Sequence, residues 1–422
     1  MEPLFYIQTI VIKNVFLSFG INFINFLFPV ILIPFYISVF GITNYGLIAI
    51  CISLINYIAV INDYSWSILG PVKIGQIGEN TSALNHYIST VINTKLVLLI
   101  PSFVLLFLFI QMYSGIHSNA VLCLSLFVML FSRSQNSHWI FIGLNKVNVY
   151  FIINSVFKIS TIVTVLLFIK QRESFQFLFF ILGFFDSMIF IFSLLYLYLK
   201  CDYSYTFTPF KNIFQELQNG FKMFLTNLTI CSILNSGTLI LGLFFESKII
   251  GIYSVAEKII MLCKHTIGVL FQGVFPKICK LGIANIKELN HNLRLIFKSY
   301  LVLYSFGTLI LIFFSKQIIP FLSSENIEES SRYLVLLSPI PLIASLNQSA
   351  YMSLVLHEKK NIYFSGYFIG LLLNIILSFT LTYFFQVEGM IATLILTELF
   401  ITLFLNYNTL THKYLNFFNR YD

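Results

Sequence analysis

Apolar runs about as long as a bilayer is thick alternate with short polar interruptions along nearly the whole chain. A membrane helix needs about 20 predominantly apolar residues. Twelve stretches meet that need: 15–39, 43–62, 88–111, 118–141, 149–169, 175–199, 220–243, 249–273, 297–319, 332–356, 362–385 and 389–410. The longest interruptions, 63–87, 200–219 and 274–296, leave no room for a separate soluble domain. The last of these carries four basic residues around Pro276 and Glu288 and is expected to include an interfacial helix or a charged surface loop. The pattern therefore predicts an all-α polytopic membrane protein of twelve transmembrane helices.

Composition supports this. The chain is 58% hydrophobic and 10% charged, with a mean hydropathy of +0.87, whereas a soluble domain carries about 25% charged residues. The net charge of +8 comes from basic residues scattered over short loops, which suits the positive-inside effect and not nucleic-acid binding. Six dispersed cysteines without a CxxC pattern are expected to pack in the membrane. Lys13 precedes a long apolar stretch with no small-residue cleavage site, so the first hydrophobic segment is expected to stay as a helix.

Basic residues set the expected orientation. With both termini in the cytoplasm, that side holds fourteen: Lys13, Lys73, Lys146, Lys200, Lys211, Lys277, Lys280, Lys287, Arg294, Lys298, Lys359, Lys360, Lys413 and Arg420. The other side holds five, Lys170, Arg172, Lys248, Lys316 and Arg332. That bias argues for both ends inside.

Three features interrupt the apolar pattern. The first span contains Pro29 and Pro34; each removes a helix donor and crowds the preceding turn, so a bend or break is expected there. Such backbone survives in transporters where it lines a cavity, and elsewhere as a kink packed by neighbours. Gly251 opens the eighth span, and GIYSVAEKII from that residue echoes GITNYGLIAI from Gly41. Six spans on each side of a cytoplasmic connector would give an N-terminal lobe over 1–200, a connector at 201–219 and a C-terminal lobe over 220–422. Two bundles around a central cavity is a common carrier plan. Pro29, Pro34 and Gly251 are the candidate helix-break or gating positions.

Charge inside the spans is the third feature. Lys95, Arg133, Lys158, Lys222, Lys258 and Lys264 stand against Asp186, Glu257 and Glu398. A charge at membrane depth is expensive unless it faces protein or water. Lys95 and Lys222 are close enough to span ends to snorkel and are discounted; snorkelling also suits Glu257 and Lys258. Arg133, Lys158, Lys258 and Lys264 are the candidate cavity cations, and a cavity with a positive excess would suit an anion such as phosphate. Asn154 lies four residues before Lys158, on the same helix face. Glu257, Met261 and Lys264 share one face of the eighth helix, with Lys258 and His265 on an adjacent one; Lys258 to His265 covers roughly 10 Å. Asn374 could join helices by a hydrogen bond, and Gly366 and Gly370 would let helices approach.

No enzyme constellation stands out. There is no P-loop or HExxH, and the seven histidines show no metal-ligand spacing. No cofactor or metal is expected.

Several fragments together resemble the Wzx-type O-antigen and polysaccharide flippase family, a branch of the multidrug, oligosaccharidyl-lipid and polysaccharide exporter superfamily. They are Pro29 and Pro34 followed by Gly41 and Tyr45-Gly46; Asp63-Tyr64; Trp139, Gly143, Lys146, Asn154 and Lys158; Gly251 to Ile259 with Phe275-Pro276; and Asn374, Gly389 and Glu398. Their order spans nearly the whole chain. The resemblance implies two six-helix lobes around a central cationic cavity. It implies a multi-pass protein of the bacterial inner membrane that moves an undecaprenyl-diphosphate-linked repeat unit from the cytoplasmic to the periplasmic leaflet. Cations would meet the diphosphate, while Tyr, Asn and Ser would meet sugars. A proton or sodium gradient would act through Glu257 or Asp186 as coupling acid. Membrane lipids, a polysaccharide polymerase and a chain-length regulator are the expected partners. Family members carry Gly-Phe where this chain has Ser65-Trp66, so sugar specificity does not carry over. The alternatives are a multidrug or other small-molecule exporter of the same fold, for which an anionic cavity would be expected, and a non-transporting scaffold of polysaccharide assembly.

Overall fold

The structure, a computed structural model, describes residues 2–112, 119–171, 175–281, 286–411 and 417–418. Arg172, Lys413 and Arg420 of the orientation argument lie outside the described residues, as do the side chains of Lys13, Lys277, Lys280 and Lys360.

The first two expected spans are one helix, α1 (Glu2–Asp63), with a single non-helical residue, Gly41, at φ 79° and ψ 164°. Of the bend or break expected at Pro29 and Pro34, no break in helical torsion occurs there: both lie inside α1. Membrane helices tolerate proline where neighbouring groups re-satisfy the freed backbone. The conformation at residue 41, by contrast, is one that glycine alone reaches cheaply. A corner follows. Tyr64 and Ser65 take left-handed torsions, Ser67 Oγ donates to Asp63 Oδ1 at 2.6 Å, and α2 (Trp66–Ile77) leaves in a new direction. Tyr64 anchors the corner by stacking on Phe224 (4.4 Å between centroids) and donating to the Leu217 carbonyl at 2.9 Å. The expected loop 63–87 is thus largely helical.

Next come α3 (Thr81–Met112), α4 (Ala120–Ser134), α5 (His138–Gly143), α6 (Val147–Phe168), α7 (Phe175–Lys200), α8 (Phe210–Phe244), α9 (Ser247–Leu281) and α10 (Ile286–Ile318). A 3-10 turn at Ile319–Phe321 leads to α11 (Ile327–Leu337), α12 (Pro339–Ser345), α13 (Gln348–Leu356) and α14 (Lys360–Thr411). The Asn119 side chain caps α4, accepting from the Leu122 amide at 3.1 Å. The span expected at 118–141 is split by the break at Gln135–Ser137. The connector expected at 274–296 is an extension of α9 and the start of α10, with 282–285 outside the described residues.

Among the described residues, nine helical segments are long and apolar enough to cross a membrane. The protein is an all-α, multi-pass membrane protein. The count departs from twelve for local reasons. Gly20–Ile77 and Asn361–Thr411 each take in two expected spans, the second broken at Gln386 (φ 54°, ψ −136°), and α4 alone is too short to count.

Contacts group the chain into two compact units. Unit 1 is Met1–Phe28 with Cys51–Cys231; unit 2 is Pro29–Ile50 with Ser232–Asp422. Trp66, Tyr87, Trp139 and Phe141 are at the core of unit 1. The core of unit 2 includes Leu293, Tyr300, Met352 and Ile401. Outward faces are apolar, as lipid requires: on α14, Phe368, Ile369, Leu372, Ile375 and Ile376 are exposed, while Gly370 and Asn374 are buried.

The two echoing segments meet within unit 2. A Cβ on Gly46 would lie 1.7 Å from the Ser247 carbonyl oxygen, and one on Gly251 would lie 2.2 Å from the Ile42 carbonyl oxygen. Gly251 is therefore not a break; it lies inside α9 and permits near backbone-to-backbone packing. The α1 helix restarting after Gly41 is capped from far along the chain, as the Ile42 amide donates to Glu325 Oε2 at 3.3 Å.

Candidate functional site

Unit 1 gathers two of its interior cations on one carboxylate. On α6, Asn154 and Lys158 stand one turn apart on a buried face. Lys158 Nζ donates to Asp186 Oδ1 of α7 at 2.6 Å. Arg133, in the last turn of α4, brings Nε to 3.1 Å from Asp186 Oδ2, close enough for an ion pair though off hydrogen-bond alignment. Each carboxylate oxygen thus has its own cation, and one positive charge is left over. Lys158 Nζ also lies 4.8 Å above the Phe28 ring, a cation–π contact, and Asn154 donates to Asn25 Oδ1 at 3.3 Å. Access differs within the triad. The Arg133 side chain is 32% exposed, against 7% for Lys158 and 10% for Asp186, so Arg133 is the most exposed member of the cluster.

Lys95 corrects the expectation that it snorkels to a span end. It is fully buried on α3 and donates to the Asn136 carbonyl at 3.0 Å. The reason is the break after α4, which frees a carbonyl that a buried ammonium can satisfy. The same asparagine accepts at Oδ1 from the His138 amide at 3.0 Å and from Tyr150 Oη at 3.3 Å. Among the described residues no carboxylate lies within 4.0 Å of Lys95 Nζ.

Unit 2 pairs its charges one to one. Lys264 Nζ of α9 donates to Glu398 Oε2 of α14 at 2.7 Å. Glu257 accepts from Thr238 Oγ1 of α8 at 2.6 Å and has Lys258 Nζ at 3.6 Å. The Glu257, Met261 and Lys264 face does not gather on one partner, because the two acids belong to different helices. Asn374 donates to Thr397 Oγ1 at 3.2 Å, tying the two parts of α14 together across the break at Gln386.

A model of the polysaccharide biosynthesis protein family matches residues 11–282, well over half of the chain. The chain belongs to this family. Two relatives match most of its length. One from Shigella dysenteriae, named "Putative O-antigen transporter", is 22% identical over 93% of this chain and 98% of its own. Another of the same name from Escherichia coli K12 is 21% identical over 90% and 91%. In fold, the chain is similar to the lipid II flippase MurJ in an inward closed conformation, with a TM-score of 0.71, 16% identity and coverage of 94% of this chain and 87% of that one. It is also similar to an inward-facing multidrug resistance MATE transporter of the MOP superfamily, with a TM-score of 0.65, 13% identity and coverage of 93% and 92%.

In this polysaccharide-family protein the surroundings of Lys95 and Glu398 go beyond their place in the apolar pattern. Lys95 had a visible signal: Ser89, Thr90, Asn93 and Thr94 make the preceding two turns of α3 polar and buried, so the lysine continues a polar face and does not end an apolar span. Glu398 was visible as an intramembrane acid, but its partner, 134 residues away, was not.

Proposed function

We propose that this protein translocates an undecaprenyl-diphosphate-linked oligosaccharide, an O-antigen or related surface-polysaccharide repeat unit, from the cytoplasmic to the periplasmic leaflet of the bacterial inner membrane. The observation that carries this reading is the Arg133–Asp186–Lys158 cluster, two cations on one buried carboxylate with the arginine accessible. In a low-dielectric interior an unbalanced cation strongly favours an anion, and a diphosphate supplies one. Membership of the polysaccharide biosynthesis family and the names of the full-length relatives support the substrate class.

In this proposal the spans number twelve, with both termini cytoplasmic. The halves 1–200 and 220–422, joined by 201–219, act as two lobes around a central cavity, and alternating access moves the glycan while its polyprenyl tail stays in lipid. Arg133, Lys158 and Asn154 engage the diphosphate end, Lys258 and Lys264 contribute from the second half, and Asp186 or Glu257 is the coupling acid for a proton or sodium gradient. Membrane lipids, a polymerase and a chain-length regulator are its working partners.

The test is deletion and complementation. Loss of the gene should abolish surface glycan and accumulate lipid-linked repeat units on the cytoplasmic side. Arg133→Gln, Lys158→Ala and Lys264→Ala, each checked for expression, should fail to restore it fully. Full rescue by all three would sink the cationic site, and an intact glycan coat in the deletion strain would sink the function itself. The similarity to a multidrug transporter fold motivates a second reading, export of small molecules. Accumulation of a cationic dye in the deletion strain, with surface glycan unchanged, would favour it.

A further inference from the structure

We infer that Tyr351, Tyr363 and Tyr367 form a binding wall for a neutral sugar ring in unit 2; this rests on the lipid-linked glycan reading above. Tyr363 and Tyr367 are one turn apart on α14, and Gly370 and Asn374 continue the same stripe. The opposite face, with Phe368, Ile369, Leu372 and Ile376, is exposed and apolar and suits lipid. Tyr351, from α13, completes the row, with ring centroids 4.6 Å from Tyr363, which is 4.8 Å from Tyr367.

The row cannot face lipid. Tyr363 and Tyr367 both lie in electrostatic reach of Glu398. Glu398 holds Lys264 at 2.7 Å, and an ionised pair of this kind turns toward protein or water. The three tyrosines keep part of their surface exposed, while Tyr363 and Tyr367 pack on the core of unit 2 and Tyr351 packs on Phe271 at 5.3 Å between centroids.

Its chemistry matches a sugar. The C–H face of a pyranose is apolar and weakly positive and fits the negative face of an aromatic ring. Phenolic hydroxyls can both donate and accept, as sugar hydroxyls do. The neighbouring charges are one lysine paired with one glutamate. Unit 1 holds the cation excess, and the ligand's two chemical parts would thus have separate recognition elements on the chain.

The experiment measures equilibrium binding to the full chain in lipid nanodiscs with two probes: the diphosphate lipid bearing its oligosaccharide, and undecaprenyl diphosphate without sugar. The wild type should bind the glycosylated lipid more tightly. Tyr363→Ala with Tyr367→Ala should weaken the glycosylated lipid at least roughly tenfold and leave the sugar-free lipid within about twofold. Tyr363→Phe with Tyr367→Phe, which keeps the rings and the packing, should fall between. An equal loss on both probes, no loss on either, or a wild type indifferent to the sugar would overturn the wall while leaving the flippase reading intact. A wild type that binds neither lipid would remove that reading and the wall with it.

Discussion

The two units handle interior charge in opposite ways. Unit 1 places Arg133 and Lys158 on the single carboxylate of Asp186 and buries Lys95 against a backbone carbonyl. Unit 2 matches Lys264 with Glu398 and Lys258 with Glu257. A balanced buried pair is held by its own attraction, and removing either member exposes the other. An unbalanced cluster has a cation to spare. The difference separates charge balanced within the protein from a cluster with a net positive charge, which the sequence alone presents as one pool of six cations and three acids.

The largest expected effect comes from removing the shared anion. Asp186→Ala leaves two cations facing each other in a buried site, and loss of a buried partner costs about 3–5 kcal/mol. Thermal unfolding of the purified protein in detergent should show Asp186→Ala as the most destabilising substitution in either cluster. If Asp186→Ala and Glu398→Ala prove equally mild, the carboxylate does not organise unit 1.

The next prediction sets the units directly against each other. Lys264→Ala strands Glu398, so it should destabilise by an amount approaching the same range. Arg133→Gln leaves the Lys158–Asp186 pair neutral and complete, and Arg133 is partly solvated; its stability change should stay within about 1 kcal/mol. Affinity for undecaprenyl diphosphate should reverse that ranking, with Arg133→Gln weakening it roughly tenfold, the equivalent of about 1.4 kcal/mol. Should Arg133→Gln unfold the protein, or bind the lipid as the wild type does, the distinction between balanced and unbalanced charge collapses.

Much of this was legible in the sequence, for identifiable reasons. The membrane class followed from apolar runs, because lipid demands them wherever a helix crosses. The pairing of Asn154 with Lys158 on one face followed from helical periodicity. Partners distant in sequence did not follow: nothing near Asp186 indicates that Arg133, from α4, shares it, and nothing near Lys264 indicates Glu398. A bend or break is expected at Pro29 and Pro34, where a donor is missing; the non-helical torsion sits at Gly41, where the backbone itself needs glycine. Propensity marks where a helix is weakened; packing decides where it yields.

The smallest prediction concerns the segment Pro29–Ile50, which the chain lends to unit 2 between two stretches of unit 1. Its helix restarts at Ile42 with unsatisfied amides, and Glu325 accepts from the first of them at 3.3 Å. Ser323 holds the Glu325 backbone in place by accepting from its amide at 3.1 Å and donating to its carbonyl at 2.8 Å. Glu325→Ala removes the cap and should cost about 1 kcal/mol locally. Glu325→Gln keeps an accepting oxygen and loses only the charge–dipole part, about 0.3–1 kcal/mol. Hydrogen exchange at the Ile42 amide should therefore quicken most in Glu325→Ala and less in Glu325→Gln, while Lys264→Gln, elsewhere in unit 2, should show whether the effect is local. If Glu325→Ala leaves Ile42 as protected as in the wild type, the segment is held in unit 2 by the Gly46–Gly251 packing alone. In that case a bulky residue at Gly46, whose Cβ direction meets the Ser247 carbonyl at 1.7 Å, becomes the substitution that detaches it.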